Sequence, residues 1–182
     1  DEPEYTARQA LATPAFWILT IVHLSSTVSF VTLSLHLVPK LTDMGLTLSG
    51  ASLVVLTYTA IALPSQFAAG YFADRLPRPP LIFAFLFLQA ASMMIIAVAD
   101  NFYLAYLFAV LYGIGFGGRI PLLTAIRGEY FGRKNYATIR GFMQFFLIPA
   151  TLVGPIYAGL VFDLTDSYHI AFMSFIVSLL FG

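Results

Sequence analysis

An all-α membrane protein of six transmembrane helices, set out as two three-helix repeats of opposite orientation, is the fold this sequence predicts. Three observations predict it. The 182 residues are 59% hydrophobic and only 10% charged, where a soluble domain carries about 25% charged residues. So few charges cannot cover a water-facing surface, and lipid must do so instead. Apolar runs of spanning length recur along the chain, parted by short polar breaks. The basic residues fall in alternate breaks, as they do in a chain threaded back and forth through a bilayer.

The elements follow in order. Residues 1–14 form a polar lead-in. The opening DEPEYTARQALATPAFW has no basic region followed by an apolar core, so it does not read as a signal peptide. Glu4 to Thr13 suits a short amphipathic helix on the cytoplasmic membrane surface, and Pro14 stands where a helix start tolerates proline. Residues 15–182 form the bundle. A span needs roughly 20 mostly apolar residues. Five such runs are Ala15 to Val38, Ser49 to Ala73, Pro80 to Ala99, Phe102 to Ile126 and Ile139 to Phe162. A sixth starts near Tyr168 and is still apolar at Gly182; it would give about 22 Å of helix, short of the ~30 Å hydrocarbon core. The sixth span is therefore expected to be incomplete. The breaks read VPKLTDMG, DRLPRPP, ADN, RGEYFGRKNYATIRG and DLTDSY, rich in turn-forming residues.

With the N-terminus in the cytoplasm, Arg8, Arg75, Arg78, Arg127, Arg133, Lys134 and Arg140 all fall inside, while Lys40 falls outside and Arg119 within a span. That bias fixes the expected orientation. An internal echo matches it. Gly70 with Asp74 and Gly159 with Asp163 share the spacing Gly-x-x-x-Asp at the ends of spans two and five, on opposite sides. Inverted three-helix repeats would show this, although Gly and Asp also favour helix ends by themselves.

Composition excludes several functions. Net charge is zero, so no global field draws nucleic acid, and without cysteine there are no disulfides or thiolate metal sites. No span carries an Asp or Glu deep in the bilayer, and His23 and His36 lie about 20 Å apart along one helix. No catalytic cluster, metal set or cofactor motif results, so an intramembrane enzyme is not expected. The glycines of Tyr112 to Gly118 are no phosphate loop, because no Lys-Ser/Thr follows them. Gly113 and Gly117 instead form a GxxxG pair that allows close helix approach.

Uncharged and charged polar residues inside spans are the candidates for a solute cavity. Arg119 leads, since a mid-membrane arginine costs about 2.5–3.5 kcal/mol on insertion scales and is rarely idle. It can meet a carboxylate in a two-pronged geometry. Its position, about 26 Å from Phe102, also suits snorkelling to water, pairing with Glu129 or bonding to Gln144. His23 shares a helical face with Ser26, Thr27 and Ser34, and a second stripe holds Ser25, Ser29, Thr32 and His36. One stripe would line the cavity and the other would bond to a neighbouring helix. His23 titrates near neutral pH and is a candidate proton-coupling site, against the plainer role of a packed, hydrogen-bonded histidine. Tyr58, Gln66 and Gln144 complete the set, with interhelical hydrogen bonding as the default role for each. Pro64, Pro149 and Pro155 remove backbone hydrogen bonds inside spans and would bend them.

The segment GYFADRLPRP, Gly70 to Pro79, resembles the loop motif of the major facilitator superfamily. YGIGFGG at Tyr112, EYFGRKNYATIRG at Glu129 and GPIYAGLVFD at Gly154 are similar to the monocarboxylate and oxalate/formate-type members. The resemblance covers nearly the whole chain and matches the C-terminal six-helix half of a twelve-helix fold. It implies secondary transport of a small solute, an organic anion such as a monocarboxylate, by alternating access in a plasma membrane, the bacterial inner membrane in particular. Its partners would be the solute, protons or a counter-substrate, lipid, and the N-terminal six-helix half. It also implies a gating loop of Gly70, Asp74, Arg75 and Arg78, with Asp74 holding neighbouring helix ends together at the start of span five or through Arg127 or Arg140. A non-transporting scaffold or receptor of the same fold is the alternative. One departure stands out: oxalate-type members carry a basic residue in the second and fifth spans of this half, whereas Ser49 to Ala73 and Phe142 to Phe162 contain none.

Overall fold

The computed structural model describes residues 4–166 and 168–181, with side chains to residue 179. Its elements are α1 (Ala7–Leu11), α2 (Pro14–Asp43), α3 (Leu48–Ala73), α4 (Arg78–Val98), α5 (Phe102–Phe131), α6 (Tyr136–Thr165) and α7 (His169–Phe181). No strand occurs among the described residues. Helices α2 to α6 are each long and apolar enough to cross a membrane, and α7 is a shorter apolar helix. The end of the sixth apolar run at Gly182 lies outside the described residues.

Local chemistry sets the starts. Thr13 caps α2 by accepting from the Phe16 amide at 3.3 Å, with Pro14 in the first turn. Thr47 and Asn101 cap α3 and α5 in the same way. In α1, Thr6 and Gln9 form a reciprocal capping box. This short helix folds back on the α5–α6 turn. The Tyr5 amide donates to the Phe131 carbonyl at 3.1 Å, Asn135 Nδ2 donates to the Tyr5 carbonyl at 2.8 Å, and Lys134 pairs with Glu4 at 2.9 Å. These contacts gather Glu4, Lys134 and the neighbouring arginines at one end of the bundle, hereafter the basic end.

The helices run longer than the apolar runs that announce them. Break VPKLTDMG belongs mostly to α2, which continues through Pro39 and Lys40 to Asp43. The long break RGEYFGRKNYATIRG shrinks to residues 132–135, so Arg127 and Glu129 lie inside α5, which ends at Phe131, and Arg140 lies inside α6. Hydropathy falls where a helix leaves lipid, but Arg, Glu and Tyr still propagate a helix. The true stop is Gly132, at φ 78°, a backbone region that glycine enters without penalty.

Helix α5 is the spine. It packs along α3 on one side and α4 on the other; α2 pairs with α6, and α4 also contacts α7. Two glycine faces explain the position of α5. A Cβ on Gly113 or Gly117 would fall 2.6 Å from the Tyr58 carbonyl oxygen or 2.3 Å from that of Ala62, both backbone atoms of α3. A Cβ on Gly115 would fall 2.7 Å from the Gln89 amide of α4. Ser65 of α3 donates to the Ile114 carbonyl at 2.7 Å, sealing the α3–α5 contact.

Candidate functional site

Two arginines on α5 lie eight residues apart, so they share a face two turns removed. Arg119 is only 4% exposed and Arg127 only 3%. In both, Nε is buried without a hydrogen-bond acceptor. Buried polar groups are almost always satisfied, and a buried charge without a partner is costly. Both guanidiniums border one cavity of about 250 Å³. Its walls come from α2 with His23, Thr27 and Phe30, from α5 with Phe116, Arg119 and Arg127, and from α6 with Arg140 and Gln144. No Asp or Glu lines it.

The aromatic wall is ordered. Phe30 stacks on Phe116 with centroids 4.4 Å apart, and Phe116 stacks on Tyr112 at 5.8 Å. The Arg119 guanidinium stands 5.1 Å from the Phe116 centroid, within range of a cation–π contact. Opposite, Arg127 Nη2 donates to His23 Nδ1. Arg140 is an exposed residue that borders the cavity from the first turns of α6.

Arg119, His23, Thr27 and Gln144 thus meet at one place. Tyr58 and Gln66 do not. Tyr58 is buried behind the aromatic wall, edge-on to Tyr112 at 5.5 Å, and Gln66 sits half-buried on α3 away from the cavity. Arg119 is buried within the described residues, and α5 continues twelve residues beyond it to Phe131. It does not pair with Glu129, which binds Arg78 instead.

Arg127 and Arg140 escape a reading that counts them as loop charges. The spacing of Arg127 from Arg119 was the available signal. The two stripes of α2 divide differently from a simple choice of cavity or neighbour. Ser26 donates to Gln89 Oε1 on α4 at 2.8 Å, although His23 and Thr27 on its own face line the cavity. On the other stripe, the Ser178 hydroxyl of α7 donates to Ser25 Oγ at 2.9 Å. His36 contacts the Tyr168 hydroxyl at 3.1 Å and the Pro155 carbonyl at 3.3 Å.

At the basic end, Asp74 is the exposed C-cap of α3. Arg75 donates to the Tyr71 carbonyl at 2.9 Å and lies over the Tyr71 ring. Arg78, at the start of α4, forms an ion pair with Glu129 near the end of α5. Gly70 has open space where a Cβ would stand. In this arrangement, the loop's contact to another helix runs through Arg78.

A larger groove of about 510 Å³ between α2, α4, α5 and α7 has apolar and aromatic walls and presents no charge. The small cationic cavity is the chemically distinctive one. It lies inside a bundle of apolar helices, which is the setting of a solute site in a membrane carrier. The sequence itself, over residues 15–182, matches the family model described as the Major Facilitator Superfamily. With most of its length matched, this chain belongs to that superfamily, whose members are multi-pass membrane proteins that transport solutes and are not enzymes.

Proposed function

We propose that this chain is the C-terminal six-helix half of a twelve-helix secondary transporter, and that it carries a small organic anion, a monocarboxylate in the first instance, by alternating access. One observation carries the substrate class: two buried guanidiniums border a cavity that holds no carboxylate. An anion entering there supplies the charge the protein omits, and in a low-dielectric site such a pairing is strong. The cavity volume of about 250 Å³ is below the range typical of drug-sized ligands, which suits a small solute.

The arrangement in two repeats is supported by the pairing of helices. Helix α3 packs along α5, and α2 packs along α6; inverted repeats would exchange these two pairs. The basic end is read as cytoplasmic, in a plasma membrane, from the bias of arginine and lysine toward it. The missing half would close the cavity from the other side.

The test uses the complete protein in detergent or proteoliposomes, with Arg119→Lys and Arg119→Gln. Pyruvate binding is expected to weaken more than about tenfold in Arg119→Gln, since a charge-assisted hydrogen bond contributes about 1.5–3 kcal/mol. Arg119→Lys should fall between that variant and wild type, keeping the charge but losing the fork. Unchanged affinity in Arg119→Gln would remove Arg119 from the substrate site.

A further inference from the structure

The cavity is polarised along the helix axes. Helix α2 starts at the basic end and α5 finishes there, so the two pass the cavity in opposite directions. Arg127 of α5 and Arg140 of α6 border it toward the basic end, and Phe30 of α2 and Phe116 of α5 border it at the deep end. Arg119 stands between these groups. It is eight residues from Arg127, about 12 Å along the axis, and three from Phe116, about 4.5 Å. Cations thus occupy one end and aromatic rings the other. Arg119 marks the junction, its guanidinium 5.1 Å from the Phe116 centroid.

The two rings differ in what they leave open. Phe116 has Phe30 stacked on it at 4.4 Å with planes 12° apart, Tyr112 parallel within 6° at 5.8 Å, and the Arg119 guanidinium against it as well. Phe30 has Phe116 as its one ring contact among the described residues and is only half-buried. Of the two, Phe30 is the ring that can offer a face to a ligand. Ile120 and Leu123 of α5 add further apolar wall.

We propose that the carried anion is an aryl monocarboxylate, its carboxylate on Arg119 and its ring on the face of Phe30, and that Phe30 is the specificity-determining residue. This assignment rests on the anion-transport reading above and names the substrate class of that same cavity. The space is adequate. An apolar cavity of about 150 Å³ holds one benzene molecule, and this cavity measures about 250 Å³. Charge at one end and apolar surface at the other call for both features in one ligand. A short acid such as pyruvate would meet Arg119 but leave the ring wall without contact, and so forfeit dispersion. A saturated ring would fill the space, but it lacks the quadrupole through which aromatic rings pair in offset or edge-on geometry. A rigid aryl acid also has little conformational freedom to lose on binding.

Three probes of equal charge separate the outcomes. Pyruvate, benzoate and cyclohexanecarboxylate each carry one negative charge at neutral pH. Binding of each is measured, in one detergent, to the complete wild-type protein, to Phe30→Leu and to Arg119→Gln. Wild type should bind benzoate more tightly than pyruvate, and about fivefold more tightly than cyclohexanecarboxylate, the size expected of aromatic pairing beyond area burial. Phe30→Leu keeps an apolar side chain and removes the flat face. It should bring benzoate down to the level of cyclohexanecarboxylate and leave pyruvate unchanged. Arg119→Gln should weaken all three.

Equal affinity of wild type for benzoate and cyclohexanecarboxylate overturns the aryl assignment, as does a benzoate preference that survives in Phe30→Leu. Benzoate binding that is untouched in Arg119→Gln places the ring outside this cavity and overturns it too. Pyruvate binding with no gain for benzoate leaves the transport reading standing and removes this assignment alone. If none of the three binds, the organic-anion reading falls and the aryl assignment falls with it. The comparison of ligands in wild type needs no variant to fold.

Discussion

At the scale of single residues, the protein places its polar groups where lipid cannot reach them and then leaves some of them short of partners. Gln89 shows the satisfied case. It has no exposed surface, accepts from Ser26 at 2.8 Å, and reaches the Tyr112 hydroxyl at 3.4 Å, so one side chain ties α2, α4 and α5 together. Interhelical hydrogen bonds in membranes average about 0.6 kcal/mol. Ser26→Ala should therefore lower stability by only about 0.5–1.5 kcal/mol, read as a modest fall in detergent melting temperature. A loss several times larger would mean that Gln89 organises more than this pair. Arg119 and Arg127 show the opposite case, with buried nitrogens that lack acceptors. Part of this was legible beforehand. An arginine, a histidine and a glutamine inside apolar runs point to Arg119, His23 and Gln144 by their cost alone. Tyr58 and Gln66 looked equivalent to them in sequence, because polarity inside a run does not tell which face of the helix meets the cavity. Arg127 and Arg140 were hidden by their position after the apolar runs had ended.

At the scale of elements, the same limitation recurs. Apolar runs locate where the chain enters and leaves lipid, and they locate five spanning helices well. They do not locate the ends of α2 and α5: α2 continues through Pro39 to Asp43, ahead of Gly45, and α5 continues to Phe131, ahead of Gly132, both glycines at positive φ. The contact geometry of α5 is a clearer reward of sequence reading, since Gly113 and Gly117 announce a close approach. The added glycines at Gly115 and Gly118 turn out to serve a second neighbour, α4, which spacing alone did not assign. Gly117→Ala should be severe. Its Cβ would meet the Ala62 oxygen at 2.3 Å and the Ala62 Cα at 2.7 Å, and backbone atoms have no rotamer to yield. Overpacking of this kind costs about 1–3 kcal/mol or more, and a drop in melting temperature with poor expression should follow. Gly141→Ala, where nothing lies within 4 Å, should be neutral or slightly stabilising because alanine favours helix. Equal tolerance of both substitutions would mean that α3 and α5 are not packed this closely.

At the scale of the whole molecule, the orientation is open to a direct chemical test. The chain has no cysteine, so in a protein whose other cysteines have been replaced, single thiols placed here report without background. A cysteine at Arg133, in the α5–α6 turn, should react with an impermeant reagent only in inverted vesicles. A cysteine at Asp100, in the α4–α5 turn, should react in intact cells. The reverse pattern would overturn the reading of the basic end as cytoplasmic. The Arg78–Glu129 pair is partly solvated, with side-chain exposures of 22% and 58%, and solvated pairs contribute little stability, about 0–1 kcal/mol. Glu129→Gln should therefore leave melting temperature nearly unchanged. Any effect on transport rate would then come from the balance between conformations and not from folding.

The clamping of α5 has one more consequence. Glycine contacts fasten it to α3 and α4, while it touches α2 and α6 only lightly. The cavity lies along that lightly held line, with Arg119 and Arg127 on one bank and His23 and Arg140 on the other. The like charges of Arg119, Arg127 and Arg140 oppose closure of the banks, and on the anion-transport proposal a solute lodged between them would draw them together. On that proposal the solute would be a removable rivet, and the strength of the joint would depend on what the cavity contains.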